Sequence, residues 1–369
     1  MTDHAIAGPV ATPVEPAPVR SPGSSPIPER MRASVLLRAG VIELEDRPVP
    51  TPGTGQVLLR VLAVGTCGSD VHYFHEGRIG DFVVEKPMVL GHEPSGEVVA
   101  VGPGVTRVEP GQRVSIEPGT PCFVCAQCLA GRYNLCPDMR FYATPPIDGA
   151  FSEFVLADQV MCHPVPDQVS DEAAALLEPL SVGVWSNRRA GTGPGSRVLV
   201  TGAGPIGLVA VQTARAFGAS EVVVSDVNPH RLALAARLGA TATVDVSTTD
   251  LAEAVSDLAP DVLIECSGVP AVISAAIRCV ARAGHVVLVG MGGDEISLPL
   301  ARVQNFELTV TGTFRYANTW PTARALVADG TVDLDALVSH RYGLADVVAA
   351  LDVARTDPTA VKAVVLPQR

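Results

Sequence analysis

The chain has 369 residues, 47% of them hydrophobic and 18% charged, which is enough apolar material for a large core at a length that suggests two domains. Its formal net charge of -12 leaves no basic footprint for a phosphate backbone, which argues against nucleic acid as a partner. Lys86 and Lys362 are the only lysines, so Schiff-base or phosphate-gripping lysine chemistry has almost nowhere to act, and no run of about 18 apolar residues marks a membrane span.

Residues 1–30 are rich in Pro, Ala and Ser and carry neither the charged start nor the apolar run of a signal peptide, so they are expected to form a disordered arm. The expected compartment is therefore the reducing cytoplasm, where clustered cysteines are more often metal ligands than disulfides. From 31 to about 170, short Val-rich runs such as "GQVLLRVLAVG" and "GEVVAVG" are punctuated by Gly and Pro, which predicts a β-rich, barrel-like domain. Within it "GTCGSDVHYFHEGRIGDF" carries Cys67, Ser69, Asp70, His72, Tyr73 and His75, and "VLGHEPSGEV" carries His92 and Glu93. Cys, His and carboxylate ligands with one position left to water or substrate make a catalytic zinc site.

The loop "PCFVCAQCLAGRYNLC" follows, with Cys122, Cys125, Cys128 and Cys136 in the spacing C-x2-C-x2-C-x7-C. A disulfide knot conflicts with the expected compartment and a DNA-binding finger with the acidic charge, which leaves a closed, structural zinc site. "LLEPLSVGVWS" then sets Glu178 beside Pro179 in apolar surroundings.

Beyond residue 180 the texture changes to a strand, a glycine turn and an apolar-periodic helix in "RVLVTGAGPIGLVAVQTARAFGAS", followed by the strand "EVVVSD" and further alternation. Continuous Val/Ile/Leu strands between helices predict a parallel, doubly wound sheet. Gly202, Gly204 and Gly207 match G-x-G-x-x-G in its proper setting, after a strand and at the opening of a helix, where backbone N–H groups hold a pyrophosphate. Asp226 closes the next strand about 20 residues on, placed for ribose hydroxyls, so NAD is expected over NADP, with Arg231 close behind. A nicotinamide accepts hydride, so the other half should hold an alcohol or carbonyl and manage its proton.

Together with "CGSDVHYF", "GRIGDFVVEKPMVLGHE", "GRYNLC", "ATPPIDGAF", "EPLSVG", "GAGPIGL" and "TFRYANTWP", these motifs make the sequence from about Met31 to the C-terminus resemble the zinc-dependent medium-chain dehydrogenases, specifically their polyol branch of sorbitol and xylitol dehydrogenases. The resemblance implies an α/β chain with a GroES-like β-barrel catalytic domain over 31–180, holding the structural zinc lobe at about 118–140, a Rossmann NAD-binding domain over 181–318, and a segment over 319–369 that completes the catalytic domain. It implies one catalytic and one structural zinc per subunit, a polyol or ketose substrate and a homotetramer. Cys67 and His92 match catalytic zinc ligands, while Glu93 and Glu178 match carboxylates of which either could ligate the metal. Tyr73, Arg315 and Tyr316, with Glu178, match substrate contacts; Ser69 and His72 are placed to carry the alcohol proton away; Ile206, Asp226 and Arg231 match nucleotide contacts. L-Threonine dehydrogenase or another zinc alcohol dehydrogenase is the alternative within the superfamily, and a zinc-less, non-catalytic relative the distant one. Taken singly, Cys67 or His92 reads as a core residue, Tyr73 and Tyr316 as interface packing, and Arg315 as a surface ion pair.

Overall fold

The computed structural model describes residues 26–293 and 295–369, which build two principal sheets. The expected arm lies outside the described residues up to residue 25, and the first strand is Arg30–Arg38. One sheet is seven-stranded and runs in the order Cys162–Pro164, Arg113–Ile116, Glu93–Val101, Gln56–Gly65, Lys362–Leu366 and Val338–Gly343, with Phe154–Asp158 also paired to Gln56–Gly65. The strand Lys362–Leu366 meets Gln56–Gly65 antiparallel, with Val364 opposite Gly65, so the last strand of the chain lies beside one of the first. Val57, Leu59, Val61, Val98 and Val114 fill the core beneath this sheet.

The second sheet is six-stranded and parallel, in the order Ala242–Asp245, Glu221–Asp226, Arg197–Thr201, Val262–Glu265, His285–Leu288 and Thr309–Gly312. Its central strands Arg197–Thr201, Glu221–Asp226 and Val262–Glu265 carry buried apolar runs because both faces are covered there. Val198 and Val200 enter one core with the helices Leu177–Ala190 and Pro205–Ala216, while Leu199 enters another with Ile273 and Ile277. The helix starts are locally encoded: Pro205 occupies the first turn of its helix, and Asn228 caps Pro229–Arg237 by accepting from the His230 and Arg231 N–H groups at 2.9 and 3.2 Å. Strand order reverses between Arg197–Thr201 and Val262–Glu265, which opens a crevice at their carboxyl ends.

The two halves interleave. Leu177–Ala190 runs across the sequence boundary expected at 180. Trp320 and Ala323 of Trp320–Ala328 join the core of Leu180 and Val209, whereas Val338–Gly343 and Lys362–Leu366 return to the first sheet. Among the described residues no helix is long and apolar enough to cross a membrane.

Candidate active site

Cys67 stands at the N-cap of the helix Gly68–Glu76, and His92 and Glu93 stand where the chain enters the strand Glu93–Val101. A single buried carboxylate joins these two segments: Asp70 accepts the Cys67 N–H at 3.0 Å and the Gly91 N–H at 2.9 Å. Asp70 Oδ1 also lies 3.5 Å from His92 Nδ1, which leaves the other ring nitrogen for a metal. One ligand atom each from Cys67, His92 and Glu93 falls within 4.8 Å of the others. Burial alone would depress the His92 pKa, but the facing Asp70 and Cys67 raise it well above its usual value.

Lys362, left without a role by sequence reasoning, belongs to this cluster. Its Nζ donates to Glu93 Oε1 at 2.6 Å and to the Thr66 carbonyl at 2.7 Å, and both members of the ion pair are almost wholly buried. Burial pulls the Lys362 pKa down, yet Glu93 and Cys67 together hold it above the usual lysine value. Glu93 Oε2 is also 2.6 Å from Nζ but receives no well-directed hydrogen bond, so a buried lone pair is left to a further partner. Gly65 sits directly opposite Glu93, where a Cβ would come 2.0 Å from Oε2. A thiolate, an imidazole and a carboxylate with an unfilled lone pair suit zinc in an open, catalytic site.

Glu178 lies outside that group of three but close by. It accepts from the Tyr316 hydroxyl at 2.7 Å, and burial raises its pKa from 4.5 to about 7, with Glu93 adding to the rise and His92 opposing it. Burial, then Glu178, lifts the Tyr316 pKa well above the usual value. Arg315 stacks over Phe141 with 3.8 Å between its Cζ and the ring centroid, and burial lowers its pKa. Tyr73 is buried in the same region, its pKa pushed up to about 12 by burial while Arg315 and His92 oppose the rise. His72 instead faces solvent and pairs with Glu76 at 3.1 Å one turn along its helix, and Ser69 is half-buried on the first turn.

The four cysteines of the loop bring their sulfurs within 4.8 Å of one another, and all are free thiols. Cys125 and Cys128 sulfurs are 3.4 Å apart, and those of Cys122 and Cys128 4.0 Å. Zn–S bonds of about 2.3 Å in a tetrahedron place sulfurs about 3.8 Å apart, so the loop fits a four-thiolate metal and not a disulfide of about 2 Å. Backbone N–H groups of Val124 and Cys125 favour the Cys122 thiolate and lower its pKa to about 7, whereas burial raises that of Cys128 to about 12.

At the parallel sheet the glycine turn is cut to a cofactor. A Cβ at Gly207 would meet the Gly202 carbonyl oxygen at 1.8 Å, so helix and strand approach only without one. A Cβ at Gly204 would meet nothing within 4 Å, which leaves an open cradle at the start of Pro205–Ala216 where a pyrophosphate fits. Ile206 is half-buried on the first turn of that helix. Asp226 accepts the Ala203 and Asn228 N–H groups at 2.6 and 2.8 Å, which holds its carboxylate at the rim of this turn. Arg231 donates from Nη2 to the Ala360 carbonyl at 3.2 Å while its Nε stays unpartnered.

Residues 53–167 match the model of the alcohol dehydrogenase GroES-like domain, and residues 205–329 that of the zinc-binding dehydrogenases. The chain is 46% identical to a sorbitol dehydrogenase of Gallus gallus over 329 residues, 88% of this chain and 93% of that one. It is 42% identical to a sorbitol dehydrogenase of Bacillus subtilis over 331 residues, 88% and 94% of the two chains. Among solved structures, L-idonate 5-dehydrogenase from Escherichia coli superposes with a TM-score of 0.86 at 31% identity, covering 92% of this chain and 98% of that one. Galactitol-1-phosphate dehydrogenase from Escherichia coli superposes with a TM-score of 0.84 at 29% identity, covering 91% and 100%.

Proposed function

The chain belongs to the zinc-dependent medium-chain alcohol dehydrogenases, and on that footing we propose that it is a zinc- and NAD-dependent polyol dehydrogenase. It oxidises a secondary hydroxyl of a sugar alcohol reversibly to the ketose, hydride passing to NAD and the proton to solvent. The observation that carries this reading is the convergence of three metal-ligand groups with further hydroxyl-binding groups, the Tyr316–Glu178 pair and Arg315. A polyol gives those extra groups further hydrogen-bond partners, which a simple alcohol lacks.

In this reading Cys67, His92 and Glu93 hold the catalytic zinc, and Glu178 faces the substrate. Zinc, when bound, supplies Lewis acidity that lowers the pKa of a hydroxyl presented to it, and NAD supplies the hydride acceptor. Asp70 orients His92, and Lys362 fixes Glu93 and offsets its charge. Arg315, Tyr316 and Tyr73 orient the remaining substrate hydroxyls. A protonated fraction of Glu178 near neutral pH lets that group give or take a hydrogen bond as the hydroxyl changes state. Ser69 and His72 form the exit for the alcohol proton, with His72 already at solvent. Cys122, Cys125, Cys128 and Cys136 hold the structural zinc; Gly202, Gly204, Ile206, Gly207, Asp226 and Arg231 hold NAD.

We further propose a cytoplasmic homotetramer. Free thiols in a metal-binding loop suit a reducing compartment. Thr309–Gly312 is an edge strand of the parallel sheet, with Leu298 and Leu300 exposed shortly before it in the chain. The test is NAD reduction with sorbitol, xylitol, ribitol, L-threonine and ethanol, beside an NADP control. Turnover of polyols with NAD supports the reading; turnover of threonine or ethanol alone moves the chain to another branch of the family.

A further inference from the structure

The segment that carries Arg315 and Tyr316 is not held by the sheet it follows. Arg315 and Asn318 both have positive φ, 53° and 57°, a conformation that non-glycine residues keep only when their surroundings enforce it. Most of the enforcing groups come from the four-cysteine lobe, with Arg188 Nη1 of the helix Leu177–Ala190 also donating to the Asn318 carbonyl at 2.8 Å. Asn134, itself buried, donates from Nδ2 to the Phe314 carbonyl at 2.9 Å. The Tyr133 hydroxyl accepts the Asn318 N–H at 2.8 Å, and Asn318 Nδ2 donates to the Gly131 carbonyl at 2.8 Å. Tyr133 is in turn aimed by buried Glu117, whose Oε1 accepts its hydroxyl at 2.6 Å while His163 Nε2 lies 3.0 Å from Oε2. Gly131, Tyr133 and Asn134 all lie between Cys128 and Cys136, so the fold of the cysteine loop sets where these groups point. The lobe thereby contacts both ends of the 314–318 segment, through Phe314 and through Asn318.

We propose that the four-cysteine lobe is a positioning element for polyol recognition: through Tyr133, Asn134 and Gly131 it clamps residues 314–318 so that Arg315 and Tyr316 face the substrate. The inference rests on the reading of Arg315 and Tyr316 as substrate contacts. It gives the lobe a part in specificity as well as in stability, with Tyr133 and Asn134 as positioning residues that never touch substrate.

Tyr133→Phe keeps the ring and removes the hydroxyl that joins Glu117 to Asn318. The measurements are KM and kcat for the best polyol, the NADH dissociation constant by fluorescence, the zinc content and the melting temperature. The expected result is a polyol KM raised about tenfold, the effect of a lost hydrogen bond at a recognition loop, with kcat changed by less than about threefold and zinc content and NADH affinity at wild-type values. Asn318→Gly suits the positive φ and removes only the bond to Gly131; it carries the same split at about threefold in KM and decides the matter if Tyr133→Phe does not fold. A lower melting temperature with KM unchanged in the folded variant overturns the inference. Wild-type protein that oxidises no polyol refutes the functional reading and the inference with it, an outcome distinct from an active variant with normal KM, which refutes the inference alone.

Discussion

Replacing Lys362 with Met removes one half of the ion pair with Glu93. Nζ is 2.6 Å from Glu93 Oε1 and 2.7 Å from the Thr66 carbonyl, and the two side chains are 3% and 1% exposed, so water cannot substitute for the lost ammonium. Leaving a buried carboxylate unpaired costs about 3–5 kcal/mol. At about 2–4 °C per kcal/mol, the melting point of zinc-stripped protein falls by about 6–20 °C. Calorimetry of the metal-free protein reads this loss directly. The double variant Lys362→Met, Glu93→Gln removes the orphaned charge and melts above the single variant. Zinc gives the free carboxylate a new partner, so adding it restores part of the loss in the single variant. A single variant melting within about 2 °C of wild type, or a double variant that falls as far as the single one, refutes the assignment of this pair as a tight buried contact.

Gly204→Ala folds with near wild-type stability, because a Cβ there meets nothing, yet weakens NADH binding at least tenfold in a fluorescence titration; Gly207→Ala, with a Cβ 1.8 Å from a carbonyl oxygen, lowers the melting temperature as well. Tyr316→Phe removes the 2.7 Å hydrogen bond to Glu178 and reduces kcat/KM for polyols by about 10- to 100-fold, equivalent to about 1–3 kcal/mol, with NADH affinity unaffected in the same titration. Burial holds Glu178 at about 7 in the folded protein against 4.5 as its ordinary value, so the native state binds the extra proton in that interval. The stability this proton contributes is complete below 4.5 and is lost as pH rises to about 7; in metal-free protein, melting temperatures measured across this window fall with pH in wild type and less steeply in Glu178→Gln.

Much of the architecture is legible because it is written locally. Unbroken runs such as Val198–Val200 announce strands covered on both faces, the spacing of Gly202, Gly204 and Gly207 specifies the nucleotide turn, and four cysteines in fifteen residues announce a metal loop. Cys67, His92 and Glu93 are legible as zinc-ligand types, but their convergence is not, since 25 positions separate the first two and nothing in their spacing brings them together. Lys362 is illegible for a stronger reason. Its contact with Glu93 spans 269 residues and exists because the final strand returns to the first sheet, a matter of topology that no local pattern encodes. The same holds for Tyr133 and Asn318, 185 residues apart. Asp70 stands in the motif that carries Cys67, but its part in joining two ligand segments emerges only when Gly91 is placed beside it.

The most direct test of the account is polyol oxidation with NAD before chelation, after removal of zinc and after its return, with metal content measured at each stage. The account predicts two zinc ions per chain in the active protein, loss of turnover as the Cys67, His92 and Glu93 site is emptied, and recovery on adding zinc. Full turnover by protein shown to hold no zinc at that site contradicts it.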